Sequence, residues 1–111
     1  MKYNFEKYIP YSKRNSFNGL TFAKNGLIMV TTFTTDKYFK ETNKIDFFFD
    51  KEEKIFFIKE NNNGLKVIRR KPKNNVAISA VRLKKIMPTG RYLFEKKHNG
   101  GFIFKYQEKN E

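Results

Sequence analysis

Apolar and polar positions alternate along most of this chain, and the apolar runs are short and separated by turn residues. Gly19-Leu20-Thr21-Phe22-Ala23 and Leu27-Ile28-Met29-Val30-Thr31 flank Lys24-Asn25-Gly26. Asn-Gly between two such runs predicts a β-hairpin whose central residues take positive φ. Residues 35–41 read as a short helix. Thr34 or Thr35 caps it, Asp36 sits near its N-terminus, Tyr38 and Phe39 turn to the core, and Asn43 closes it. Residues 44–50 (KIDFFFD) and 54–60 (KIFFIKE) make a second hairpin over Lys51-Glu52-Glu53. Ile45, Phe47 and Phe49 share one face of it, with Phe48 on the other. Strands apolar on both faces are covered on both, which predicts a cover of helices or of a second copy, and hence a homodimer. For Phe47, Phe49, Phe56 and Ile58 the expected role is core packing.

After the turn at Asn61-Asn62-Asn63-Gly64, residues 65–71 read as a strand that Pro72 stops. Asn74-Asn75 turns the chain, and residues 76–78 are a short extended piece. Ser79 is an N-cap for a helix over residues 80–87 that Pro88 and Gly90 end. Residues 91–96 and 101–106 form a third hairpin over Asn99-Gly100-Gly101, with Tyr92, Phe94, Phe102 and Phe104 as core residues. The sum is an α+β domain, mainly an antiparallel sheet of about seven strands in hairpins with two short helices.

With 111 residues the chain is one domain, 1–111. Thirteen Phe and six Tyr enlarge a core that the length alone keeps modest. Residues 1–17 carry Pro10, Ser12, Lys13 and Arg14 and read as an arm that Tyr3, Phe5 and Tyr8 pack down. The absence of Cys excludes disulfides and thiolate metal sites and fits a reducing, cytoplasmic setting. No apolar run is long enough for a signal peptide or a membrane span.

Charge changes the picture most. The formal net charge is +13, and it is uneven: residues 1–60 hold eleven Lys/Arg and eight Asp/Glu, residues 61–111 thirteen and three. Residues 64–85 hold eight basic residues and no acid: Lys66, Arg69, Arg70, Lys71, Lys73, Arg82, Lys84 and Lys85. Together with Arg91, Lys96 and Lys97 they are the candidate phosphate-binding surface, a basic strand followed by a basic helix. Aromatics interleaved with cations in residues 91–106 suit single-stranded nucleic acid, where charge tracks the backbone and rings stack on bases.

Residues 20–30, the short helix and the two strands that run to Ile58 resemble the SpoVT/AbrB type of swapped-hairpin DNA-binding protein. In this chain Thr31 or Thr32 stands where that family has Pro, and Asn43-Lys44 where it has Gly-Asp. The helix carries Lys37 and Lys40 and no Arg. The resemblance implies a dimer of interleaved strands whose basic face binds DNA.

Catalytic chemistry finds little support. His98 is single and lies in a turn, and Glu52-Glu53-Lys54 sits at a hairpin tip where acids serve solubility. No Gly-rich phosphate loop, metal cluster or cofactor motif is present. The reading is a cytoplasmic, homodimeric nucleic-acid-binding protein that favours single-stranded DNA or RNA, without enzymatic activity, cofactor, membrane or small-molecule substrate. Two alternatives stand beside it: a phage-type inhibitor docking on an acidic partner, and a small toxin-type ribonuclease using Arg91 and His98.

Overall fold

The computed structural model describes Tyr3, Phe5, residues 17–71 and residues 73–108. The expected arm, apart from Tyr3, Phe5 and Phe17, lies outside the described residues, as do the strand stop at Pro72 and the last three residues. The elements run β1 (Gly19–Phe22), β2 (Leu27–Val30), α1 (Thr32–Tyr38), β3 (Lys44–Asp50), β4 (Ile55–Glu60), β5 (Leu65–Lys66), β6 (Ile68–Arg70), β7 (Asn75–Ser79), a 3₁₀ turn (Val81–Leu83), β8 (Gly90–His98) and β9 (Gly101–Tyr106). All nine strands belong to one antiparallel sheet in the order β5-β3-β4-β9-β8-β1-β2-β7-β6.

The two ends of that order, β5 and β6, are consecutive in the chain and separated by Val67 alone. The sheet therefore curls round until both edges meet on one segment, giving a nearly closed barrel. Leu65 and Lys66 pair with β3, while Ile68, Arg69 and Arg70 pair with β7. At the join the Val67 N–H donates to the Asn43 carbonyl at 2.9 Å. The expected single strand over residues 65–71 is thus two short strands, because its halves serve different edges.

Inward positions from β1 to β4 and from β7 to β9 fill the barrel, while β5 and β6 contribute no buried side chain. Leu20, Phe22, Ile28, Val30, Val76, Tyr92 and Phe104 are fully buried, and rings interlock across it. Phe56 meets Tyr92 at 4.5 Å and Phe22 at 5.7 Å between ring centroids. Both ends are plugged. At one end Phe39 and Tyr38 pack on Phe102 at 5.2 and 4.5 Å. At the other, Met87 is buried and the Tyr92 hydroxyl donates to the Pro88 carbonyl at 2.6 Å. Burial there pushes the Tyr92 phenol well above its ordinary pKa, because the phenolate would lose its solvation.

Three local expectations are corrected. Helix α1 starts three residues early because Thr31, not Thr34 or Thr35, is the cap: its Oγ1 accepts from the Thr34 N–H at 3.3 Å. Thr34 and Thr35 are buried and spent on tertiary bonds instead, Thr34 Oγ1 accepting from the Gly19 N–H at 2.6 Å and Thr35 Oγ1 from the Val76 N–H at 3.3 Å. Asp36 consequently falls outside the first turn. The helix expected over residues 80–87 is one 3₁₀ turn followed by bends. Ser79 still pairs with Leu27, and the Ala80 N–H donates to the Gly26 carbonyl at 2.8 Å, so Ser79 belongs to β7 and the turn starts without a side-chain cap. The turn at residues 24–26 has three residues with only Gly26 at positive φ (89°). The two-residue loop with both centres positive lies at Asn99 (φ 46°) and Gly100 (φ 80°).

Removing the plug at the α1 end should be costly while trimming the helix surface should not. Phe39→Ala is expected to lose about 3–5 kcal/mol of unfolding free energy, and Phe33→Ala, on the exposed side of α1, under about 1 kcal/mol. Urea titration followed by tyrosine fluorescence separates the two.

Candidate nucleic-acid interface

The barrel distributes the eleven candidate basic residues over several places. Lys66 faces outward on β5, directly opposite Lys44 on β3. Two like charges at adjacent-strand distance repel, and no carboxylate pairs with either among the described residues. Arg70 and Lys71 are exposed where β6 ends, and Lys73 is exposed in the turn to β7. Arg82, Lys84 and Lys85 are exposed on the 3₁₀ turn and the bend after it. A cleft of about 340 Å³ reaches from that turn to the barrel seam, so Arg82 shares its lining with Leu65, the neighbour of Lys66. Arg91 lies on the outer face of β8, its guanidinium 5.0 Å from the Phe17 ring centroid.

The irregularity in β8 between Phe94 and Lys96 shifts the alternation by one, so that Lys96 faces outward and Lys97 inward. Lys96 pairs with Ile103 and Lys97 with Phe102. Ile103 is an outward residue of β9, so Lys96 joins the outer surface. Phe102 is inward, and Lys97 Nζ stands 5.9 Å from the Tyr38 ring at the plugged end of the barrel.

Arg69 differs from its neighbours. It is half-buried, and its guanidinium reaches under the chain that leaves α1. Nη2 donates to the carbonyls of Phe39 (2.7 Å), Thr42 (2.6 Å) and Lys40 (3.2 Å), and Nη1 to that of Asn74 (3.2 Å). These donors satisfy carbonyls left over at a helix end. Its role in this geometry is to hold the α1–β3 connection against β6.

The sequence placed the working surface on the basic stretch and assigned Phe47, Phe49, Phe56 and Ile58 to the core. Phe56 and Ile58 are indeed buried and Phe47 is half-buried, but Phe49 is 45% exposed and Phe48 50% exposed. The outer face of β3, β4, β9 and β8 carries a row of paired positions, Phe48–Phe57–Ile103–Lys96. Phe48 and Phe57 stack, with centroids 5.6 Å apart and planes at 27°. Gly101 makes this arrangement possible: a Cβ there would stand 2.5 Å from Phe57 Cε1, so the ring occupies the space a side chain would take. One adjacent row is Asp46–Lys59–Gly101–His98; the other brings Ile55, Lys105 and Leu93 beside Asp50. Phe57 and Gly101 were the missed residues. The available signal was the middle phenylalanine of KIDFFFD, Phe48, which falls on the face opposite Ile45, Phe47 and Phe49.

The acids of this face are already engaged. Asp46 accepts from Asn61 Nδ2 at 2.8 Å, and Asp50 accepts from the Glu52 and Glu53 N–H groups at 3.0 and 3.1 Å, which makes it a turn former. Among the described residues there is one ion pair, Lys54–Glu108 at 2.8 Å. Its hydrogen bond raises the Lys54 pKa and lowers that of Glu108. Lys59 and Lys96 thus form no ion pair among the described residues, while Lys105 adds to the charge that lowers the Glu108 pKa. His98 is exposed, with its ring 5.8 Å from Phe57 and Nε2 3.1 Å from Asn99 Nδ2. No group of three or more His, Asp or Glu stands together for a metal ion among the described residues, and no helix there is long and apolar enough to cross a membrane.

Arg69 and Arg70 should separate on stability. Arg69→Met orphans the carbonyls it serves and is expected to cost about 2–4 kcal/mol. Arg70→Ala should stay within about 0.5 kcal/mol of the parent. Thermal and urea unfolding of both variants checks this. Comparison with protein-family models, with curated proteins and with solved structures returned no match.

Proposed function

We propose that the protein binds single-stranded nucleic acid across the outer face of β3, β4, β9 and β8. Bases stack on Phe48 and Phe57, and phosphates lie against Lys59, Lys96 and Lys105. The strand continues toward the Lys44–Lys66 pair and the Arg70, Lys71 and Lys73 turn, where the longer basic stretch neutralises further phosphates. The observation that carries this reading is the half-exposed Phe48 ring stacked on the partly exposed Phe57 on the outer sheet face, with Lys59 and Lys96 beside it in no ion pair among the described residues. An antiparallel sheet with exposed rings and flanking cations suits unpaired bases, which offer a π-face whatever their identity. A duplex hides those faces, so single strands are the preferred class. Base-specific readout is absent from the proposal, because neither the rings nor the lysines distinguish one base edge from another.

The test is fluorescence anisotropy with labelled single-stranded DNA, single-stranded RNA and duplex DNA at several salt concentrations. Single strands should bind more tightly than duplex. Phe48→Ala and Phe57→Ala should each cost about 1–3 kcal/mol of binding. Lys59→Ala, Lys96→Ala and Lys105→Ala should each flatten the log–log salt slope by about 0.7. The RNA should run intact on a denaturing gel afterwards. Equal affinity for all three oligonucleotides, unchanged by Phe48→Ala, would refute the stacking surface and leave only generic attraction to a basic protein.

A further inference from the structure

The barrel wall has a gap, and the gap exposes an unpaired strand edge. The Lys44 carbonyl accepts from the Asn61 N–H at 3.0 Å, just beyond the end of β4. Even-numbered residues of β3 therefore aim their backbone groups at β4, and odd-numbered ones aim at the opposite edge. On that edge Ile45 is paired with Leu65, but β5 reaches no further along β3. The N–H and C=O of Phe47 and Phe49 have no backbone partner among the described residues. Across the gap, β7 is paired with β6 only up to Ala77.

What faces this edge is a groove with an apolar floor and a basic wall. Its lower part is the cleft of about 340 Å³ lined by Phe47, Leu65, Ile78 and residues 79–83. Its upper part is a hollow of about 500 Å³ formed by Phe49, residues 50–52 and Ile86. Leu65 (60% exposed), Val81 and Ile86 leave apolar surface open beside it. Arg82 lines the lower cleft, Lys84 and Lys85 are exposed just after it in the chain, and none of the three has an ion-pair partner among the described residues. The upper hollow also carries Asp50, Lys51 and Glu52, with Asp50 accepting from the Glu52 and Glu53 N–H groups of its own turn, so the cationic part of the groove is the lower one, beside Arg82.

We propose that this groove receives an extended, acidic peptide segment of a partner protein, which adds as a strand to the free edge of β3. Its backbone pairs with Phe47 and Phe49. Its inward side chains are apolar and sit over the cleft, and its acidic side chains meet Arg82 and the lysines beside it. Main-chain pairing supplies affinity and the alternate side chains supply selectivity. A second copy of this chain fits less well, since two walls of like sign on chains of formal charge +13 would be brought together. The surface is separate from the nucleic-acid face, which uses the outward residues of the same strand.

The test is amide hydrogen exchange read by NMR on the full chain, with and without a fluorescein-labelled octapeptide of alternating valine and glutamate. In the free protein the Phe48 amide, paired with β4, should exchange slowly, and the Phe47 and Phe49 amides fast. Peptide should bind saturably in anisotropy and slow exchange at Phe47 and Phe49 at least about tenfold. Arg82→Glu should weaken binding about tenfold or more, and Phe48→Ala should leave it unchanged. The proposal is overturned by absence of saturation, by saturation without protection of Phe47 and Phe49, or by equal binding of the peptide with lysine in place of glutamate. It is also overturned if those amides are already protected in the free protein in a concentration-dependent way, with doubled mass by light scattering, since a second copy would then cover the edge.

Discussion

The sheet is held shut by residues 65–70, a segment that must satisfy two edges at once. An antiparallel sheet of this length can remain open or close by pairing its terminal strands. Here the terminal strands are the same piece of chain, so closure follows once that piece is extended. Leu65 and Lys66 hold β3, Ile68 to Arg70 hold β7, and Val67 bonds to Asn43 between them. Arg69 locks the arrangement by reaching across to the carbonyls of Phe39, Lys40 and Thr42. One guanidinium thereby ties β6 to the end of α1, and α1 carries the Phe39 plug. Substituting Arg69 loosens closure and plug together.

A segment shared by two edges cannot follow both for their whole length. It peels off β7 after Ile68 and ends on β3 at Leu65, so the wall splits above it. That split accounts for three observations with one cause: the unpaired backbone at Phe47 and Phe49, the cleft under residues 79–83, and the exposure of Leu65 and Val81. The 3₁₀ turn partly screens the gap with side chains but offers no strand to pair. Opposite the seam no such conflict exists. There β4 and β9 are paired without a break, β8 follows β9 with one irregularity between Phe94 and Lys96, and on their outer face the Phe57 ring lies over Gly101.

Most of the strands were legible in the sequence because hairpin turns and alternation are local signals. Asn25-Gly26, residues 51–53 and Asn99-Gly100 all join the expected strand pairs. Closure was not legible, since nothing local marks residues 65–70 as two half-strands on different edges. The start of α1 was misread for a similar reason. Four threonines compete for the capping role between positions 31 and 35, and the choice falls to Thr31 because Thr34 and Thr35 are needed by Gly19 and Val76. The basic stretch was correct as a count of charges, but proximity in sequence did not make it one surface. Arg69 turns in to carbonyls, Lys97 turns to Tyr38, and the rest divide between the seam, the β6–β7 turn and the outer sheet.

The three consecutive phenylalanines of β3 show why the two proposed surfaces are coupled without overlapping. Phe47 is half-buried over the seam cleft, Phe48 lies outward on Phe57, and Phe49 is held at the open rim beside Ile86. Alternation along a strand forces this division: a strand bound to the edge touches the backbone of Phe47 and Phe49 while leaving the ring of Phe48 untouched. Yet the backbone is common to both. Edge strands are the looser members of a sheet, and pairing the free edge of β3 restricts the motion of Phe48 as well as of its neighbours. A base stacking on Phe48 then orders less of the protein than it would on the unpaired edge, so the entropy cost of stacking falls. If both surfaces are filled as proposed, this ordering favours joint occupancy, against the repulsion between two anionic occupants, and whichever outweighs the other acts equally on both sites.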